Sequence, residues 1–443
     1  MRRRLTTPAR FATVVAAAAA LAVSGCSSSG SKTTSAGGSI KGQTITYWAS
    51  NQAPTVQDDV KDLTPQLQKF TSQTGVKVNL QVIDWAHLQT KILAAVSSGE
   101  GPDVLNIGNT WAASLQSTGA FLPFTTSAFN AVGGKSKFVA GALATDGAPN
   151  QTPTSVPLYS LAYGLYYNKA MFAAKNLPPP TTWQQLVSDA KALTGHGVYG
   201  ITLEAGSYTE NVHFAFIFGQ QHGGNLFNGD TATFTNPGVI AGVKQYIDLM
   251  DVDHVVNPSD AQYTEGTSTL GDFAKGKVAM VMNQNNANAT LSADGMKPSQ
   301  YGVVPIPAPS PLPSAGKDIA TFPAGINISI FKNSQHIAAD EAFVKFMTSV
   351  PEQEVLGQEL TTLPVNTAAK ATWTTDTALA GTFKNILANQ AAPLPLTKNE
   401  ADMETAVGNA ITPLFAQAAT GHVVTASDIK AAMEQAQAKM PAS

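Results

Sequence analysis

The chain alternates between two hydrophobic periods, and this alternation limits the fold more than any other feature of the sequence. Residues 76–82 alternate apolar with polar side chains, the period-2 pattern of a strand with one buried face. Residues 60–70 and 88–96 instead space their apolar side chains three or four positions apart, which predicts helices. Residues 44–48 and 103–107 are further short strand patterns. This β-α-β-α-β order predicts a mostly parallel sheet with right-handed crossovers, and therefore an α/β fold class.

The first 25 residues have the features of a secretory signal peptide. Arg residues near the start precede an apolar run over residues 11–23 that is too short to span a bilayer. Residues 21–25 and the following Cys26 resemble the bacterial lipobox, in which the cysteine becomes acylated. Cys26 is the only cysteine in the chain and therefore has no internal disulfide partner. We expect lipid attachment at Cys26, an extracytoplasmic location and a flexible, Ser- and Gly-rich linker over residues 26–43; the export route stays open.

Composition argues against several other functions. The formal net charge is −3 and only 13% of residues are charged, so no basic surface for nucleic acid is expected. His213 and His222 lack metal-ligand spacing, and no cofactor motif is present, so we expect neither metal nor cofactor. Two Ser-x-x-Lys motifs, at residues 188–191 and 314–317, lack the companion motifs of penicillin-reactive enzymes.

Segments spread over nearly the whole expected mature chain share one order and spacing with a known family. They include Gly-Pro-Asp before a strand at residues 101–103, Tyr-Asn-Lys at 167–169 and Gly-Lys-Val-Ala-Met at 276–280. The matching segments are residues 99–124, 156–172, 179–194, 222–224, 273–280, 324–330 and 363–365. In these segments the chain resembles a family 1 extracellular solute-binding protein, the group that includes maltose- and other sugar-binding proteins.

The resemblance implies a two-lobed periplasmic-binding-protein fold of type II, with a hinge and a ligand cleft between the lobes. Residues 44–158 with 305–355 are expected to form the first lobe, and residues 159–304 with 356–443 the second. It also implies a monomeric lipoprotein, not an enzyme, that captures a mono- to short oligosaccharide and delivers it to the permease of an ATP-driven (ABC) importer.

A sugar offers an apolar face to aromatic rings and hydroxyl groups to planar polar side chains, and ligands of open α/β sheets bind beyond the carboxyl ends of strands. Candidates are therefore aromatic and polar residues that follow strands. They are Trp48, Ser50, Asn51, Asp84, Asn109, Thr110, Trp111, Tyr159, Tyr163, Glu204, Ser207, Tyr208, Asn283, Asn285 and Asn286. The family resemblance adds Gly325, where backbone lies close to ligand in relatives. Trp48 and Trp111 are the favoured stacking pair, whereas Trp85 fits a helix core equally well.

Two alternatives remain open. The same fold could bind a polyamine, a phosphodiester or iron, although the amide-rich loops favour neutral hydroxyls. A secreted carbohydrate-active enzyme would need a carboxylate pair, which Glu204 and Asp84 could supply.

Asn286 stands where maltose-binding relatives carry a stacking Trp, and this difference suggests a ligand shorter than a maltodextrin.

Overall fold

The structure is a computed structural model that describes residues 39–371, 373 and 377–441. The expected signal peptide, Cys26 and most of the expected linker lie outside this range. Among the described residues, no helix combines the length and the apolar character needed to cross a membrane.

Strands and helices alternate along most of the described chain. The strands are β1 (Thr44–Ser50), β2 (Lys77–Ile83), β3 (Val104–Gly108), β4 (Ser155–Leu161), β5 (Tyr163–Asn168), β6 (Phe227–Asn228), β7 (Thr231–Ala232), β8 (Met280–Gln284), β9 (Tyr301–Val304), β10 (Ala324–Ile330) and β11 (Leu363–Pro364). The helices are α1 (Val56–Thr74), α2 (Trp85–Ser98), α3 (Ala112–Ser117), α4 (Thr126–Ala131), α5 (Ala140–Leu143), α6 (Lys169–Ala174), α7 (Trp183–Leu193), α8 (Tyr208–Gln221), α9 (Pro237–Asp251), α10 (Gly266–Ala274), α11 (Ala287–Ala293), α12 (Ile337–Met347), α13 (Val350–Glu359), α14 (Thr377–Asn389), α15 (Glu400–Ala419) and α16 (Ala426–Gln437).

The first lobe is built on a six-stranded sheet in the order β11-β4-β10-β3-β1-β2. β1 pairs in parallel with β2 and β3, as the alternating pattern predicts, while β10 runs antiparallel to β3 and β4. Because β2 and β3 both run parallel to β1, the carboxyl ends of these three strands share one edge of the sheet.

The ends of α1 follow from local chemistry. Thr55 caps α1 by accepting from the Asp58 amide, and Gly75 ends it in the left-handed conformation.

The second lobe is built on an antiparallel three-stranded sheet in the order β8-β5-β9. Helices α8, α9, α15 and α16 pack against one another in this lobe. The chain passes from the first sheet to the second at Ala162, between β4 and β5, close to the crossover inferred from the sequence.

The later boundaries differ from the expected ones. Residues 305–322 stay with the second lobe, where the Trp183 amide donates to Ala308 and the Lys317 amide to Gln220. The return to the first sheet comes at β10. The segment 356–366 belongs with the first lobe, because β11 pairs with β4. A proline-rich loop and a two-residue strand have no hydrophobic period from which either boundary could be predicted.

Candidate functional site

A cavity of about 320 Å³ lies between the two lobes. The first lobe contributes the residues that follow β1 and β3, the start of α2, and the start of β10. The second lobe contributes the loop before α8, the first turn of α10 and the end of β8. The cavity thus lies beyond the carboxyl ends of the parallel strands, where open α/β sheets bind their ligands.

A second, wider depression of about 690 Å³ borders residues 392–398. Among the described residues that line it there is neither Trp nor Tyr, and Asp230 is the one carboxylate. Because a ligand site needs converging polar groups and an apolar face, we place the candidate site in the interlobe cavity.

A buried carboxylate fixes the loop that follows β1. The Asn51 amide group and the backbone amides of Gln52 and Ala53 all donate to Oδ2 of Asp59, a residue of α1. Burial raises the pKa of Asp59 to about 6, although these hydrogen bonds act in the opposite direction. Because Asn51, Gln52 and Ala53 line the cavity, Asp59 holds one of its walls in place.

The aromatic wall comes from Trp85, the first residue of α2. Its ring stacks on Trp111 with centroids 4.8 Å apart and planes at 20°, and Trp85 lines the cavity. Trp111 is only 1% exposed and lies beneath Trp85 in the core. Asp84 accepts from the Ala86 amide and caps α2, so its carboxylate is committed to the helix start.

The favoured stacking pair is therefore not at the cavity. Trp111 is covered by Trp85, and Trp48 packs at the edge of the apolar cluster around Leu105, with Lys91 Nζ 4.5 Å from its ring centroid. Since side chains alternate along β1, Trp48 points away from the face that buries Tyr47 and Ala49.

The opposite wall carries carboxylates. Glu204 Oε1 accepts from Asn283 Nδ2 at 3.0 Å, and Glu265 and Glu210 line the same wall. Burial raises the pKa of Glu204 well above its usual value, and the charges of Glu210 and Glu265 raise it further. Ser207 caps α8 by accepting from the Glu210 amide, which fixes the start of the helix that carries Glu210.

Behind this wall, His213 joins several polar groups. Tyr163 Oη lies 2.8 Å from His213 Nδ1 and donates to Glu210, while His213 Nε2 lies 3.6 Å from Glu404 Oε1. Burial alone would lower the pKa of His213, but hydrogen bonds and charge from Glu210 and Glu404 outweigh it and raise the pKa to about 9. His213 is therefore a cation at neutral pH, enclosed by carboxylates.

Other candidates hold the crossover between the lobes instead of lining the cavity. Asn285 is fully buried: its Oδ1 accepts from the Ala162 amide, and its Nδ2 donates to the Thr361 carbonyl. Ser50 and Tyr159 are also buried, with their hydroxyls 3.4 Å apart. Asn285 therefore lies where the crossover after β4, the end of β8 and the segment before β11 meet, whereas Ser50 and Tyr159 contact each other within the first sheet.

Most of the sequence candidates come together at the cavity. Those that line it are Asn51, Asn109, Thr110, Glu204, Ser207, Tyr208, Asn283, Asn286 and Gly325. Those that do not are Trp48, Ser50, Asp84, Trp111, Tyr159, Tyr163 and Asn285, and Cys26 lies outside the described residues. Gly325 is a glycine for a steric reason, because a Cβ there would meet the Tyr159 carbonyl oxygen at 2.5 Å.

The cavity is also lined by Trp85, which the sequence left open between cleft and helix core, and by Glu210, His213 and Glu265, which were not among the sequence candidates. Glu210 and His213 lie three residues apart on α8, a helical spacing that places them on one face and was available from the sequence. Glu265 precedes α10 in a segment without a recognisable pattern. Within the described part of the chain, no group of His, Cys, Asp and Glu is arranged to hold a metal ion.

Residues 49–354 match the family model described as bacterial extracellular solute-binding protein. The chain belongs to this family. A maltooligosaccharide ABC transporter solute-binding lipoprotein of Streptococcus pneumoniae is 26% identical over 320 residues, covering 68% of this chain and 69% of the relative. A diacetylchitobiose binding protein of Streptomyces coelicolor is 24% identical over 325 residues, covering 70% of each chain.

Solved structures agree on the fold of this solute-binding protein. A solute-binding protein of Thermotoga lettingae, solved with α-D-tagatose, superposes with a TM-score of 0.77 at 20% identity and covers 89% of this chain and 99% of its own. The GacH receptor of Streptomyces glaucescens superposes with a TM-score of 0.73 at 20% identity, covering 88% and 96%. The expected family and the expected two-lobed α/β fold are both confirmed.

Proposed function

We propose that this solute-binding protein captures a mono- to short oligosaccharide in the interlobe cavity and delivers it to the permease of an ABC importer. The observation that carries the proposal is the Trp85 ring facing a wall of carboxylate, amide and hydroxyl groups. An indole face suits the C–H face of a sugar ring, and the polar wall suits its hydroxyls.

The size of the cavity favours a short saccharide. Its volume of about 320 Å³ is near the lower end of the range for ligand pockets, about 300–1,000 Å³. Relatives that bind a maltooligosaccharide and diacetylchitobiose, and a neighbour solved with tagatose, support a carbohydrate ligand in this range of sizes.

The remaining parts of the proposal concern location and chemistry. We propose that Cys26 carries a lipid that anchors the protein outside the cytoplasmic membrane, and that the folded protein works as a monomer. We further propose binding without hydrolysis, because Asp84, the carboxylate that could pair with Glu204, does not line the cavity. Saccharide recovered unchanged after long incubation supports binding alone; released reducing sugar would contradict it.

A cationic solute such as a polyamine is the second candidate, and the charge of the cavity favours it. Glu204, Glu210 and Glu265 line the cavity, where His213 supplies one positive charge and no Lys or Arg is found among the described lining residues, so the carboxylates outnumber the cation. A protonated amine would relieve the repulsion between these carboxylates. The same negative wall disfavours a phosphodiester.

Thermal unfolding of the purified protein with saccharides, spermidine and metal salts separates these candidates. A ligand present at 100 times its Kd stabilises the folded state by about 2.7 kcal/mol, which gives a measurable rise in Tm. A rise with one saccharide supports the proposed function. A rise with spermidine and with no saccharide would replace it by the second candidate.

A further inference from the structure

We propose that Glu404 is a positioning residue that joins the two lobes when the cleft closes and, by holding the Trp111 indole, sets the Trp85 ring against the ligand. The proposal rests on the proposed function only in the assumption that closure of the cleft encloses a ligand. Its geometry and its test involve no ligand.

Glu404 belongs to the second lobe, and its contact reaches the first. It lies on α15, which packs along α8 and α9. Its Oε2 accepts from Trp111 Nε1 at 2.7 Å, and Trp111 belongs to the apolar cluster of the first lobe. Beside this contact, the Ala401 amide donates to Ser114 Oγ at 3.0 Å. The first two turns of α15 therefore form a bridge between the lobes.

The bridge continues into both walls of the cavity. On one side, Trp111 carries the stacked ring of Trp85. On the other side, Glu404 faces His213, which lies against Tyr163 and lines the cavity. A movement of α15 away from the first lobe would withdraw the hydrogen bond that fixes the plane of the Trp111 indole, and with it the support beneath Trp85.

Burial of Glu404 makes the contact costly to break in the closed state. The residue is 1% exposed, and burial would raise its pKa, yet the contacts with His213 hold the pKa below its usual value. An ionised carboxylate without water needs its donors, because removing one partner of a buried charge leaves it unsatisfied. Opening of the lobes, which lets water in, offers an alternative to the donors that Trp111 and Thr110 supply from the first lobe.

The distance between the lobes tests the proposal directly. With Cys26 replaced by serine, nitroxide labels at Ser98→Cys on α2 and Lys430→Cys on α16 report the lobe separation of the ligand-free protein by pulsed electron spin resonance. Both positions are exposed. In the Glu404→Ala variant we expect the ratio of open to closed molecules to rise about tenfold or more, the effect of losing a hydrogen bond to a charged acceptor.

Two variants separate coupling from simple stability. Trp111→Phe keeps a ring beneath Trp85 but removes the donor, so it should open the lobes as Glu404→Ala does, and combining the two should add little. Glu404→Gln keeps an acceptor oxygen and should restore most of the closed population. Glu359→Ala, which removes an exposed carboxylate from the first lobe, is the control and should leave the distances unchanged.

A lower Tm in Glu404→Ala with wild-type lobe distances would show that Glu404 only stabilises the second lobe, and would overturn the proposal. If Glu404→Ala does not fold, Trp111→Phe decides alone: an unchanged distance distribution rejects the bridge, and a shift to longer distances supports it. Neither result depends on whether the ligand is a sugar.

Discussion

Replacing Trp85 by alanine tests the aromatic wall of the cavity. Its indole has one face on Trp111, at a centroid distance of 4.8 Å, and the other at the cavity. A sugar ring that covers this face buries about 50 Å² of apolar surface, worth about 1.3 kcal/mol. Ring contact adds about 0.5–1 kcal/mol. A total of about 2 kcal/mol corresponds to a Kd about 30-fold higher, since 1.4 kcal/mol is a factor of ten.

Isothermal titration with the saccharide that raises Tm measures this change. The matched control is Trp48→Ala, which removes the same type of side chain from β1, where it packs against the Trp111 cluster near Lys91 and does not line the cavity. The control should bind within about twofold of wild type, because its lost cation–π contact affects folding and not the ligand. Trp85→Phe should fall between the two. An unchanged Kd in Trp85→Ala, or equal losses in both alanine variants, would refute the assignment of the stacking ring.

Three further predictions concern loop support, packing and pH. Asp59→Ala should weaken saccharide binding about tenfold, because the loop after β1 loses a buried acceptor for three donors. Asp59→Asn should recover most of the affinity in the same titration. Equal losses of affinity in both variants would argue against a positioning role for Asp59. Gly408→Ala should lower the free energy of unfolding in urea by about 1–3 kcal/mol, because a Cβ would overlap the Tyr208 carbonyl at the start of α8. An unchanged midpoint would mean that α15 can shift freely. Burial raises the pKa values of Asp340 and Glu352 to about 7 from 3.8 and 4.5, so the unfolded state ionises first and stability falls as pH rises from about 4 through 7. His213, whose pKa is raised from 6.5 to about 9, acts in the same direction, since its contribution is present below pH 6.5 and lost through pH 9. Tm followed by circular dichroism should thus be higher at pH 5.5 than at pH 8.5, and the reverse order would contradict these assignments.

The sequence predicts local structure well where a period or a cap is present. Residues 77–83 alternate in burial as a strand must, and Thr182 caps α7 by accepting from the Gln185 amide. The lobe boundary near residue 305 is harder to predict from the sequence, because the extended loop there packs through backbone hydrogen bonds that leave no side-chain pattern. The two-residue β11 was missed for the same reason.

The sequence did not identify the aromatic ring that lines the cavity, and the physical reason is different. Trp85 and Trp111 both follow strands, and nothing local distinguishes the ring that lines the cavity from the ring beneath it. The distinction depends on Glu404, which lies 293 residues after Trp111 in the chain. Its carboxylate accepts a hydrogen bond from the Trp111 indole nitrogen. The amide run shows a similar limit: Asn283 lies within β8, Asn286 reaches the cavity, and Asn285 between them turns into the hinge.

The charges of the cavity connect ligand choice with closure. In an open cleft, water would hydrate Glu204 and Glu265. Closure would remove that water and leave these carboxylates facing a cavity in which His213 is the one cation among the described lining residues. A ligand rich in hydroxyl or amine donors replaces the lost water, so it favours the closed state by the difference in its contacts with the two states. A deoxygenated analogue of the same size fills the space but leaves the carboxylates unsatisfied. We therefore expect this site to discriminate by the hydrogen-bond donors of the ligand more than by its shape.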